Sequence, residues 1–167
     1  LQAHRLNFLK DRDQLMSAPD PGQALRKMMR GAVALLLRQY PSPENHYADF
    51  RISFCRVFGT GALPPRSGAP QPEDYFAGAE AVLAQKEREA PGVFDELARS
   101  VLLMCADEGW SYFLEEFENL KMGYHLMSLG RPSPRHVLIQ HSGKVLAWAN
   151  EYILKEGLRR VFCCRLA

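Results

Sequence analysis

Histidine and cysteine are the residues of this sequence best suited to metal chemistry, so their spacing is considered first. His136 and His141 lie five positions apart, which on a helix places them about 140° away from a shared face. Cys163 and Cys164, with the distant His125, are a weaker set of ligands, and we expect the two thiols to be unligated. The Glu-x-x-His sequence typical of di-iron bundles does not occur. The sequence therefore predicts no metal site and no cofactor.

Nucleophilic catalysis has equally little support. The sequence contains no Gly-x-Ser-x-Gly, and Cys55 beside Arg56 is expected to be a buried structural cysteine. The run Ser142-Gly143-Lys144 contains the Gly-Lys pair of a phosphate loop but lacks the upstream glycine and the following Ser or Thr. We therefore predict no catalytic residue and favour a protein that is not an enzyme.

Acidic side chains form one candidate binding face in the middle of the chain. Its members are Asp107, Glu108, Glu115, Glu116 and Glu118. Glu115 and Glu118 share one edge of a helix, and we expect them to be solvated. A face of this kind could bind a protein partner through complementary charge.

Basic side chains form a second candidate face. It comprises Arg26, Lys27 and Arg30, on a predicted helix over 21–40, and Arg159 and Arg160 near the C-terminus. The planar guanidinium group suits phosphates and carboxylates alike, so this basic patch allows nucleic-acid binding as an alternative function. Aromatic residues that could stack on bases are not interleaved with it, and a pI near 8.4 is modest for a nucleic-acid-binding protein.

Trp110 marks a third candidate site, because it directly follows Asp107-Glu108-Gly109 between two predicted helices. Together with His125 it could line a pocket near Asp107. A small helical enzyme or a ligand carrier is therefore a further alternative.

Charge is strongly segregated along the chain. Residues 1–66 have a net charge of +5, residues 67–120 of −9 and residues 121–167 of +6, which gives +2 for the whole chain. Either the basic ends pack beside the acidic middle and the charges compensate, or the faces bind partners of opposite charge. We favour compensation.

The elements that would position these residues are predicted to be helices. The clearest covers 21–40, with Asp20 as the N-cap, Pro21 at the first position and an apolar stripe at steps of three and four. Later stripes include Tyr112 and Trp148, and the glycines at 109, 130 and 157 are expected to interrupt or end helices. The sequence predicts an all-α, single-domain bundle of about six to eight helices over 1–167.

Some segments keep alternatives. Residues 50–58 also suit a strand, and residues 136–149 could form a hairpin around Ser142-Gly143, although we favour a helix there. Residues 59–71 are rich in Pro and Gly and are predicted to be a mobile loop, and 158–167 a final turn or a flexible tail. A face with Leu36, Leu37 and Tyr40 could be core or the seam of a homodimer.

Composition sets the outer limits on function. The 167 residues are 47% hydrophobic and 24% charged, which is typical of a globular domain. The longest apolar run, residues 32–37, is too short for a membrane span, and the adjacent pair of cysteines favours a reducing, cytoplasmic location. The richness in Ala, Arg, Gly, Leu and Pro suggests a bacterial source. Our leading expectation is a non-enzymatic helical adaptor or regulator that binds another protein.

Overall fold

The computed structural model describes residues 2–17, 20–41, 45–65, 71–127 and 135–164. Within these ranges the chain forms six α-helices, one short 3₁₀ helix and no strand. The helices are α1 (Gln2–Ser17), α2 (Pro21–Gln39), α3 (Tyr47–Phe58), the 3₁₀ helix (Thr60–Ala62), α4 (Pro72–Glu89), α5 (Val93–Met127) and α6 (Arg135–Cys163). The predicted all-α bundle is confirmed, and so is the helical interpretation of 50–58 and of 136–149.

Local signals explain where the helices begin and end. The Asp20 side chain accepts a hydrogen bond of 3.2 Å from the Gln23 backbone N–H, as expected of an N-cap before Pro21. At the start of α4, the Asp74 carboxylate accepts a 2.7 Å bond from the backbone N–H of Gln71. Gly59, at φ 82°, ends α3 in a conformation that glycine adopts more readily than other residues.

One hydrophobic core joins α2, α3, α4, the first part of α5 and the end of α6. Its centre is an aromatic cluster in which the rings of Phe54 and Phe58 lie 4.9 Å apart and the ring of Phe162 lies 5.3 Å from Phe58. Leu36 of α2 is fully buried, and Leu37 of α2 and Tyr40, which directly follows this helix, pack against the same core. These three residues therefore belong to the core rather than to an exposed dimer seam.

The two longest helices, α5 and α6, pack against each other through more residues than any other pair. Both run through glycines that were predicted to break them. A Cβ on Gly109 would clash with the Ile153 side chain, and a Cβ on Gly157 would lie 3.2 Å from Leu102 Cδ2. These glycines let the two helices approach closely, so the predicted interruptions at 109 and 157 are wrong.

Two predicted irregular segments also differ from expectation. Residues 158–163 belong to α6, and Leu158, Val161 and Phe162 are buried, so this part of the predicted tail is helical core. Residues 165–167 lie outside the described part of the chain. In the predicted loop over 59–71, residues 60–62 form the 3₁₀ helix and Ala62 is buried, whereas 66–70 are outside the described residues.

Candidate functional site

The basic residues of α2 are paired with the acidic middle of the chain. Arg26 Nε lies 2.7 Å from Glu80 Oε1 on α4, and its Nη2 lies 3.2 Å from Glu87 Oε1. Arg30 Nη1 lies 3.5 Å from Glu73 Oε1, also on α4. The compensation predicted between segments of opposite charge is therefore present between these helices.

The C-terminal arginines are neutralised as well. The Arg159 and Arg160 guanidinium groups both donate to the Glu156 carboxylate, at 2.6 Å and 2.9 Å. The hydrogen bond from Arg159 is the main reason that the pKa of Glu156 falls to about 2. Arg160 also binds Glu108 on α5 and lowers the pKa of that carboxyl. Of the five residues in the predicted basic patch, only Lys27 has no ion-pair partner among the described residues.

The predicted acidic face is divided in the same way. Asp107 accepts two hydrogen bonds from Arg12 of α1, at 2.8 Å and 3.2 Å, and Glu118 pairs with Lys121 at 2.9 Å. Glu115 is exposed and Glu116 half-buried, and neither has an ion-pair partner among the described residues. The five acids therefore do not form one continuous free surface.

A smaller surface remains open along α5 and the adjoining part of α6, and it combines carboxylates with large apolar side chains. On α5, Met104, Glu108, Ser111, Tyr112 and Glu115 line a shallow depression together with Asp107. From α6, the ring of Trp148 lies 4.3 Å from that of Tyr112. We call Met104, Glu108, Ser111, Tyr112, Glu115 and Trp148 the α5–α6 surface.

The apolar members of the α5–α6 surface are well exposed. Met104 is 46% exposed, Tyr112 39% and Trp148 48%. Sequence patterning placed Tyr112 and Trp148 on inward stripes, and this prediction is wrong. Their positions follow the helical period, but that period alone does not show that their face of the α5–α6 pair is left uncovered.

A cavity of about 310 Å³ lies between α1, α5 and α6. Trp110 forms part of its wall, and Arg12, the partner of Asp107, lies at its edge. The side chain of His125 lies outside the described part of the structure. His4, which the sequence analysis did not select, lines the cavity instead.

A second groove of about 300 Å³ lies between α3 and α6 and has mixed charge. Arg56, Lys155 and Arg159 line it. So do Glu151 and Glu156, and hydrogen bonding from Lys155 lowers the pKa of Glu151. Of the three cations only Arg56 has no carboxylate partner among the described residues. This groove therefore presents little free positive charge.

Other chemistry is sparse. Within the described ranges no group of three or more His, Cys, Asp or Glu side chains is placed to hold a metal ion. All four cysteines are free, and burial raises the pKa of the Cys105 thiol, which makes it a poor nucleophile. Among the helices described above, none has an apolar stretch that could cross a lipid bilayer.

In comparisons with known proteins, no protein-family model and no curated protein matches this sequence. Its function is therefore inferred from its own residues.

Proposed function

We propose that this protein is a non-enzymatic adaptor or regulator that binds a basic, amphipathic helix of another protein on the α5–α6 surface. The observation that carries the proposal is the exposed contact between Tyr112 and Trp148, on two helices, next to the unpaired carboxylate of Glu115. Tyrosine and tryptophan are enriched among the residues that dominate binding energy in protein interfaces.

Rigidity and charge both favour such a partner. Tyr112 and Trp148 stand on the two most extensively packed helices, so little conformational entropy is lost when a partner orders their side chains. Lys and Arg of a partner would meet Glu115 and the two aromatic rings, which attract cations. An apolar side chain on the same partner helix would cover Met104.

Nucleic acid is less well suited to the molecule. Four of the five predicted basic-patch residues already contact carboxylates, and these carboxylates would repel phosphates. Nucleic-acid binding is therefore the alternative function. It is excluded if the protein shows no salt-sensitive binding to DNA or RNA.

A defined peptide tests the proposal. The probe is a helical peptide with Lys on one face and Leu on the other, and its control has Glu in place of every Lys. Emission from Trp148 reports binding when Trp110 is replaced by Phe. We expect the basic peptide to bind at physiological salt, and Tyr112→Ala and Glu115→Lys each to weaken binding about tenfold or more.

Glu89→Lys on α4 is the matched control, because it makes the same change in charge on a helix that contributes nothing to the α5–α6 surface. It should leave the affinity within about twofold of the parent. Equal binding of the acidic peptide, or no effect of Tyr112→Ala, would overturn the proposal.

A cytoplasmic location completes the proposal. The free thiols support it, since Cys163 is exposed and is paired with no other cysteine. Titration of the protein, purified without reductant from its native source, should find four reactive thiols after denaturation. Fewer than four would point to an oxidising compartment.

A further inference from the structure

The cavity between α1, α5 and α6 has an aromatic wall to which α1 and α5 contribute the rings. The rings of Phe8 and Trp110 are stacked, with centroids 4.7 Å apart and planes inclined by 7°. Phe113 continues the wall, with its ring 5.1 Å from that of Trp110. His4 closes it edge-on to Phe113 at 6.1 Å.

Small residues leave the space that these rings border. Ala106 on α5 and Ala149 on α6 both line the cavity, and neither has a side chain larger than a methyl group. A volume of about 310 Å³ equals the liquid volume of roughly ten waters and lies at the lower end of the range for small-molecule sites.

Two side-chain amides are among the polar groups that line the cavity. Asn7 of α1 and Asn150 of α6 both line it, and their side-chain amides form no hydrogen bond with any described residue. Among the described residues one guanidinium group lines the cavity, that of Arg12, and it donates to both carboxylate oxygens of Asp107. The cavity therefore offers amide donors and acceptors and the exposed carboxylate of Asp11, but no unpaired guanidinium group for an anionic ligand.

The residues through which α1 packs against the bundle also line this cavity. His4, Phe8 and Arg12 follow one another at steps of four, they are the half-buried residues among the side chains described in α1, and all three line the cavity. Arg99 makes one further contact, donating to the Met16 carbonyl at 2.9 Å. A molecule in the cavity would thus touch α1 at the residues that attach it to the bundle.

We propose that this cavity is a binding site for an uncharged, flat heteroaromatic ring with hydrogen-bond donors and acceptors on its edge, of the size of a nucleobase. The ring packs against the Phe8–Trp110–Phe113 wall, and the Asn7 and Asn150 amides bind its edge. Stacking and amide pairing select for a ring that has both an aromatic face and a polar edge. This site is separate from the α5–α6 surface and does not depend on the proposed protein partner.

Adenine is the probe, with toluene as an apolar ring without polar groups and adenosine monophosphate as a charged relative. Trp110 emission reports binding in a Trp148→Phe variant, and amide hydrogen exchange reports on α1. We expect adenine to bind with a Kd below about 1 mM, to slow exchange in α1, and to bind more tightly than either of the other probes.

Two variants locate the site. Asn150→Leu removes one amide from the cavity and should weaken adenine about threefold to tenfold, whereas Gln140→Leu, an exposed position on the same helix outside the cavity, should not. Phe8→Ala should weaken adenine at least fivefold, with Leu9→Ala as its control on the exposed side of α1. If Phe8→Ala detaches α1 from the bundle, Asn150→Leu still tests the site, because Asn150 lies on α6.

Three results would contradict the proposed ligand. Absence of adenine binding at 1 mM, or toluene binding as tightly as adenine with no effect of Asn150→Leu, would overturn the proposed ligand class. Adenosine monophosphate binding more tightly than adenine would overturn the uncharged character of the site.

Discussion

Arg160 of α6 and Glu108 of α5, separated by 52 positions in the chain, form a two-pronged ion pair with both N···O distances at 3.0 Å. One residue belongs to the predicted basic patch and the other to the predicted acidic face. Each neutralises the other, and Arg160 also binds Glu156 on its own helix. These two residues, which the sequence assigned to different binding faces, thus form a clamp, an ion pair that joins the two longest helices.

Loss of this clamp should cost stability. Arg160→Met removes the hydrogen bonds to Glu108 and Glu156 and leaves both carboxylates without this cation. The apolar methionine side chain keeps most of the packing of the arginine stem. We expect the free energy of unfolding to fall by about 1–2 kcal/mol, since the pair is partly solvated, as measured by urea denaturation.

Lys121→Met is the matched control, because it removes an exposed pair three positions apart on one helix. It should change stability by less than about 0.5 kcal/mol. A double-mutant cycle that combines Arg160→Met with Glu108→Gln measures the coupling free energy between Arg160 and Glu108. Equal losses for Arg160→Met and Lys121→Met would show that the clamp contributes no more than a surface pair.

The same network predicts sensitivity to acid. The pKa of Glu156 is about 2 in the folded protein and 4.5 ordinarily, so its ionised form stabilises the fold fully above about pH 4.5. That contribution is lost as the pH falls from about 4.5 to 2. Over this pH interval, the free energy of unfolding of the wild type should fall more steeply than that of Glu156→Gln. We expect the two decreases to differ by about 1–2 kcal/mol in urea titrations.

Glu89→Gln serves as the control for that titration, because the Glu89 carboxylate is exposed and accepts its hydrogen bond from the neutral amide of Gln85. Its stability should follow the wild-type pH curve. If Glu156→Gln also follows that curve, the arginines do not hold the Glu156 carboxylate as the structure indicates.

Helices were predictable wherever local signals agreed. For α2, the Asp20 cap, the first-position proline and an apolar stripe all indicated the same element, and the buried side of α2 includes Leu25, Met29 and Leu36. Glycine was misleading because its local effect is ambiguous. The sequence shows that Gly109 weakens a helix, but it does not show that Ile153 approaches there and requires the absence of a Cβ.

The candidate sites were less predictable than the fold, because they depend on contacts between distant segments. Segment charges suggested compensation, but not that Arg12 would bind Asp107 from 95 positions away. Trp110 was selected for its position between helices, whereas nothing local indicated His4, which reaches the same cavity from α1. Helical periodicity likewise gave no sign that Trp148 would remain exposed.

Gly109 and Gly123 provide a test of helix packing within one helix. At Gly109 a Cβ would clash with the Ile153 side chain, whereas at Gly123 no described atom outside the backbone of the same helix turn and the two neighbouring residues lies within 4 Å of the added Cβ. Gly109→Ala should therefore destabilise the protein by about 1–3 kcal/mol, and Gly123→Ala should stabilise it by up to about 1 kcal/mol. Thermal unfolding should show shifts of opposite sign.

A rescue experiment separates crowding from other effects at Gly109. Adding Ile153→Ala makes room for the new methyl group, so the double variant should be more stable than the two single losses predict together. Strict additivity would place the cause of the Gly109→Ala loss somewhere other than the α5–α6 contact.

The orientation of α3 can be tested with two neighbouring side chains. Phe54 is fully buried in the aromatic cluster, whereas Ile52, two positions earlier, is 67% exposed. Phe54→Ala should cost about 3–5 kcal/mol, and Ile52→Ala should be nearly neutral because alanine favours a helix and no packing is lost. On a strand these two residues would share one face, and both truncations would then be costly if that face were buried. Widely different urea midpoints for the two variants thus require a helix whose inward face contains Phe54, and similar losses would contradict it.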